Sequence, residues 1–204
     1  LLNYEDRFQG AVIDDFVDSY LEGRTPIPCV RCNQTVKFAD LLTAARDLGA
    51  DALATGHYVR REIGASGPEL HRGVDAGRDQ SYFLFATTSD QLDYLRFPLG
   101  GLSKPETRTL AAEFGLLVAD KPDSQDVCFI TSTGGRTSFL GDRIPFHRAE
   151  VVDLDGTPLG QVESVEMVTI GQRKGIGLPG GGPKRYVVDV DTAARVVTVG
   201  ADSD

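Results

Sequence analysis

The chain has 204 residues, 41% hydrophobic and 25% charged, with a net charge of −9. That size and balance fit a soluble globular protein of one large domain, or of a medium domain with a small one. No apolar run approaches the length of about 20 residues that a bilayer-crossing helix needs, and three cysteines, an odd number, argue against a disulfide scaffold and for a reducing compartment. The acidic balance also lacks the broad basic footprint of many nucleic-acid binders. It leaves room for local patches, since charges are screened beyond about 8 Å. Arg60-Arg61, Arg72 with Arg78, Arg173-Lys174 and Lys184-Arg185 are such clusters. The chain opens on Leu1 and its one Met is Met167, so it reads as a piece of a longer protein.

In chain order, Val12, Ile13, Phe16, Val17, Tyr20 and Leu21 predict a helix over about 8–21, stopped at Gly23. Pro26 and Pro28 then stiffen an extended arm leading to Cys29 and Cys32. Asn33 is expected to cap a second helix ending at Leu48-Gly49, which would put Cys32 at a helix N-terminus, where a thiolate is favoured. Asp51–Tyr58 reads as a short buried strand ending in a glycine turn. Helix, tight turn and buried strand are the grammar of a parallel α/β sheet. Ligands bind beyond the carboxyl ends of such strands, so Gly56 and His57 stand at a candidate site.

Further on, a short hairpin is expected through Leu70–Val74, and Arg78-Asp79-Gln80-Ser81 as a polar entry to an apolar strand Tyr82–Phe85. Ser89 should cap a short helix over about 90–95. Ser103-Lys104-Pro105-Glu106 is a capping box opening another helix, to about Phe114-Gly115. Leu116-Leu117-Val118 would be the next strand, and Cys128 follows a polar turn. After Gly134-Gly135 and a helical turn over Arg136–Leu140 the grammar becomes all-β. A hairpin turns at Asp155-Gly156, and Tyr186–Asp191 pairs with Arg195–Val199. Between them lies the glycine-spaced basic loop Thr169–Leu178. The expected division is 1–133, an α/β domain, and 134–204, a small β-rich domain.

The three thiols support three chemistries. A zinc site would need a fourth ligand such as His57. An iron–sulfur cluster could be held by Cys29, Cys32 and Cys128. A thiol relay would let one cysteine carry sulfur and another resolve it as a disulfide. Residue spacing does not choose between the last two.

Seven blocks carry a resemblance over nearly the whole chain. They are Gly23–Pro26 through Cys32-Asn33, Val36-Lys37-Phe38, Leu48–Asp51, Ala54–Tyr58, Asp79–Leu84, Lys121–Ser124 with Val127–Ile130, and Thr169–Gly175. In that order they resemble the tRNA-specific 2-thiouridylases, which replace the C2 oxygen of the wobble uridine with sulfur. The resemblance implies a partial parallel-sheet, nucleotide α-hydrolase-like domain followed by a small β-rich central domain. It implies ATP, with Mg as its counter-ion, adenylating the uridine oxygen. Cys128 matches the position carrying the persulfide, and Cys32 the position that attacks it. Gly56 matches a nucleotide-contacting position, while Ile27, Pro28, Cys29, Arg78, Asp79 and Gln80 match segments that contact tRNA. The implied partners are tRNA and a sulfur-donor protein (a cysteine desulfurase or sulfur carrier), in the cytoplasm and off any membrane.

The chain departs from this pattern in two respects. Many members have Asn-Pro-Asp where Ile27-Pro28-Cys29 stands, so a thiol replaces a carboxylate, which favours the cluster alternative. The family's glycine-rich pyrophosphate loop and its C-terminal barrel match nothing in these 204 residues. Such a loop supplies phosphate-binding N–H groups, so this piece alone is expected to bind ATP weakly and not to thiolate tRNA. The alternative reading is a cysteine-ligated iron–sulfur or zinc RNA-binding module without catalysis of its own.

Overall fold

The computed structural model describes residues 2–122, 127–130, 134–179 and 182–201. The Asp123–Asp126 part of the turn before Cys128 lies outside them. The chain forms two compact units, one of residues 1–11 and 29–125, the other of residues 12–28 and 126–204. No helix among the described residues is long and apolar enough to cross a membrane.

In the first unit, helix α1 (Glu5–Phe8) precedes the helical run α2 over 28–47, assembled from Pro28–Cys32, a wider turn region Asn33–Leu41 and Leu42–Asp47. Gly49 ends it with φ +74, as expected of a left-handed stop. Strands β1 (Leu53–Ala54) and β4 (Leu95–Arg96) pair in parallel, so the expected parallel grammar is present, with a strand at 95–96 that the sequence reading missed. Phe38, Val59, Leu84 and Leu95 form the buried core, with Leu53, Leu70 and Phe97 packed against it.

Three expectations in this unit are corrected. The hairpin is earlier and longer than 70–74: β2 (Val59–Gly64) pairs antiparallel with β3 (Gly67–Arg72), turning at residues 65–66. Its charges obscured it, yet Arg61 serves the fold by donating to Leu92 O at 2.8 Å and to Asp93 Oδ1 at 2.5 Å. Residues 82–85 are not a strand. Asp79 accepts hydrogen bonds from the Ser81 N–H and hydroxyl, bending the chain into a tight helical turn, Ser81–Leu84. Residues 116–118 are not a strand either. The Leu116 and Gly115 N–H groups close back on Ala111 O and Ala112 O, ending helix α4 (Lys104–Glu113) in a Schellman pattern, and Leu117 is fully exposed. The capping box at Ser103 and Glu106 is formed. For helix α3 (Ser89–Tyr94) the cap is Thr88, one residue before the expected Ser89, because Thr88 and Gln91 form a reciprocal box of their own.

The second unit holds a four-stranded sheet in the order β6-β5-β8-β7, from β5 (Ala149–Val152), β6 (Pro158–Val162), β7 (Tyr186–Asp191) and β8 (Val196–Gly200). The hairpin turning at Asp155-Gly156 and the pairing of Tyr186–Asp191 with the last strand are as expected. Within this sheet β5 and β8 run parallel, and the two flanking pairs are antiparallel. Val151, Val165, Val187, Val197 and Val199 form its dry core. Residues 12–28 belong here because the apolar stripe of Asp15–Leu21 buries Phe16 and Tyr20 against Ile130, Leu140 and Ile144, the last two in and after α5 (Gly135–Gly141). Tyr20 Oη accepts from Arg136 at 3.0 Å, and Thr192 Oγ1 donates to Leu21 O at 2.9 Å. Glu166, 3% exposed, accepts from the His147 N–H and the Ser164 hydroxyl and contacts His147 Nδ1 at 2.7 Å.

Candidate functional site

Chemistry-bearing residues of the first unit gather on the start of α2, the end of β1 and the segment 78–85. The helix begins at Pro28, whose missing N–H and fixed φ suit a first helical position. This corrects the expected cap at Asn33. Asn33 lies inside the helical run, 3% exposed, and donates through Nδ2 to Phe83 O at 3.1 Å, so it ties α2 to the turn Ser81–Leu84. Cys32 is therefore a turn inside the helix and half-buried, beyond the first-turn N–H groups that would favour a thiolate. Cys29 takes the first-turn position and is exposed. Of its neighbours, Ile27 is half-buried and Pro28 buried.

At the end of β1, Gly56 exposes bare backbone. A Cβ added there would meet only Leu99 Cδ1, at 3.6 Å, so the position is open. His57 turns inward between the rings of Phe38 and Phe97, and its Nδ1 meets Thr55 Oγ1 at 2.8 Å. Burial, with a smaller push from the Lys37 charge, lowers its pKa to about 4, so the imidazole is neutral at pH 7 and serves the core. The unfolded chain binds a proton near the ordinary 6.5 and the folded one only near 4, so stability falls as pH drops through that window. The full loss is about 3 kcal/mol. His57→Asn should flatten the difference between denaturation midpoints at pH 7 and pH 4.5. An unchanged difference would reject this account.

The Asp79 and Gln80 side chains hold the strand mouth. Asp79 Oδ1 accepts from the Gly73 N–H at 3.0 Å, and Gln80 Oε1 accepts from the Tyr58 N–H at 2.9 Å. Arg78 is exposed beside them. Sequence reasoning missed Tyr82 and Phe85, exposed at 61% and 65% with ring centroids 6.2 Å apart. Their apolar run read as a strand, and only the helical turn brings both rings to the surface. It also missed the buried Tyr58 Oη and Asn33 Oδ1, which have no hydrogen-bond partner among the described residues.

Cys128 belongs to the second unit, exposed in a turn. Within each unit, no three His, Cys, Asp or Glu side chains among the described residues gather as a metal site requires.

Residues 1–132 match the family model described as tRNA methyl transferase HUP domain, and residues 137–201 the tRNA methyl transferase PRC-barrel domain. The chain thus joins a nucleotide α-hydrolase-like HUP module to a small β-rich module. It is 56% identical to the tRNA-specific 2-thiouridylase MnmA of Caulobacter sp. strain K31, over 98% of this chain and 49% of that protein. Its identity to the proteins of the same name from Hyphomonas neptunium and Rickettsia africae is 58% and 54%, over 98% and 100% of this chain and 51% and 56% of theirs. The chain belongs to the tRNA-specific 2-thiouridylase family. It spans about half the length of the curated relatives it matches.

Proposed function

We propose that the protein containing this chain makes 2-thiouridine at the tRNA wobble position by ATP-dependent sulfur transfer. The observation that carries this reading is the 54–58% identity, across 98% of the chain or more, to relatives named 2-thiouridylases. The family models are described instead as methyl transferase domains. Sulfur transfer is favoured over methyl transfer because a persulfide relay needs two thiols, and the chain supplies an exposed Cys128 and a half-buried Cys32.

In the proposed reaction ATP adenylates the uridine O2 with loss of pyrophosphate, and sulfur attacking C2 expels AMP. Cys128 carries the sulfur as a persulfide received from a donor protein. Cys32 attacks the Cys128 Sγ, forming a disulfide while hydrosulfide leaves with the electron pair for the base, and an external thiol then reduces the disulfide. The bare backbone at Gly56 fits a nucleotide close by, as does the neutral His57 behind it. Mg, as the counter-ion of ATP, belongs to this reading. Ile27, Cys29 and Arg78 are proposed to face tRNA, with Asp79 and Gln80 shaping that edge and Pro28 setting the helix start. Residues 1–133 are proposed as the later part of the ATP-binding domain, and 134–204 as the central domain.

The complete open reading frame should restore wobble 2-thiouridine to cells lacking that activity, read by mass spectrometry of tRNA nucleosides. A gain of methyl in place of sulfur-for-oxygen exchange would overturn the assignment.

A further inference from the structure

The basic loop of the second unit is singled out by its sequence yet plays no part in the chemistry above. Between Ile170 and Arg185 the only charged residues are Arg173, Lys174, Lys184 and Arg185, all cationic, in a chain of net charge −9. The structure brings the two pairs together around an open basin of about 690 Å³, where glycine backbone lies between them. Arg173, Lys174 and Lys184 are exposed. None of the four makes an ion pair with a described residue, although Arg185 feels the carboxylate of Asp153 on the flank of the basin.

The loop is stiff. Gly171, Gly175 and Gly177 all have left-handed φ, at +81, +70 and +69. Gln172 clips it from within: Oε1 accepts from the Thr169 N–H at 3.1 Å, and Nε2 donates to Lys174 O at 2.9 Å. The loop backbone pairs with Val187: the Gly171 N–H donates to Val187 O at 2.7 Å, and the Val187 N–H donates to Gln172 O at 2.9 Å. Ile176, 3% exposed, pins the loop into the valine core. A preorganised backbone beneath Arg173 and Lys174 adds little ordering cost of its own when an anion arrives. Among the described residues that line the basin there is no aromatic side chain, the anchor that protein-binding hot spots favour. Glycine backbone beside clustered cations instead suits phosphate oxygens.

We infer that the Arg173-Lys174 and Lys184-Arg185 pairs form a docking site for the phosphodiester backbone of the tRNA substrate, on the β-rich unit. This rests on the tRNA reading above. The site positions RNA and reads no base, so it should act alike on every tRNA the protein accepts.

The test uses the complete protein and an unmodified tRNA transcript, with affinity measured by fluorescence anisotropy across a salt series. Arg173→Gln with Lys174→Gln, and separately Lys184→Gln, alter exposed side chains only. A thermal melt matching wild type is the control for folding, and Arg148→Gln, at an exposed ion pair with Glu163, controls for net charge. The double variant should bind roughly tenfold more weakly at physiological salt, with the slope of log affinity against log salt shallower by about one per lost phosphate contact. Lys184→Gln should move both readings the same way by about half as much. Unchanged affinity and slope in both variants, with wild type binding normally, would overturn the inference and leave the tRNA reading standing. Loss of binding to an acidic sulfur-donor protein with tRNA binding intact would also overturn it, making the basin a protein interface. A wild-type protein that binds no tRNA would remove both readings.

Discussion

Cys128→Ser in the complete protein should abolish wobble thiolation, by at least roughly a thousandfold, as removal of a covalent catalytic group does. A hydroxyl cannot hold the transferable sulfur, and at neutral pH it is not appreciably ionised, so neither loading nor release survives the change. The exposure of Cys128 in its turn suits a thiol that must be reached by a donor protein. Cys32→Ser should fail differently. Sulfur still loads, but no thiolate displaces it, so a persulfide should accumulate on Cys128 and be visible by mass spectrometry of the intact protein. Cys29→Ser discriminates the relay from the cluster. In the relay Cys29 is the odd member, and its loss should reduce activity only a few-fold. If the three thiols instead hold iron, Cys29→Ser should be as damaging as the others and should release iron and sulfide. Retained thiolation in Cys128→Ser would end the carrier assignment.

Gly177→Ala should cost roughly 3 kcal/mol of stability, from two independent penalties. The residue sits at φ +69, where an L side chain costs about 1–2 kcal/mol. Its added Cβ would also lie 1.8 Å from Gln161 O and 2.6 Å from Gln161 C, backbone atoms of β6 that cannot swing aside. Relieving that overlap adds roughly 1–3 kcal/mol. The approach is mutual, since a Cβ on Gly160 would lie 2.5 Å from Gly177 O. Gly175→Ala is the control. Its φ is +70, but the nearest atom to its Cβ is Gln172 Nε2 at 3.8 Å, so only the conformational cost of about 1–2 kcal/mol applies. Urea midpoints for the two variants should separate accordingly. Equal losses would mean that the loop does not press on β6 as described.

Which parts were legible in the sequence follows from where the determining interactions lie. Local chemistry was readable from local residues. Gly49 stops a helix, Ser103 and Glu106 cap one, Asp155-Gly156 turns a hairpin, and alternating valines pair as strands, because each depends on neighbours a few positions away. The family blocks were readable for the same reason. Elements whose form depends on a distant partner were not. Arg60-Arg61-Glu62 looked like surface until Arg61 reached the end of α3, and Tyr82–Phe85 looked like a strand until Asp79 bent its entry. The two-residue strand at 95–96 exists only because β1 lies beside it. Asn33 looked like a cap until its amide met Phe83 O, fifty residues on. Residues 12–28 precede the first unit's main stretch in sequence yet count with the second, because Phe16 and Tyr20 bury against Ile130 and Leu140. The sequence alone determined the local turns and caps, the presence of two modules and the thiols available for chemistry. Tertiary structure alone decided which helix each module owns, that Cys32 lies within a helix rather than at its start, and that two separated basic pairs face one basin. Burial and long-range hydrogen bonds made those choices, and no window of neighbouring residues contains them.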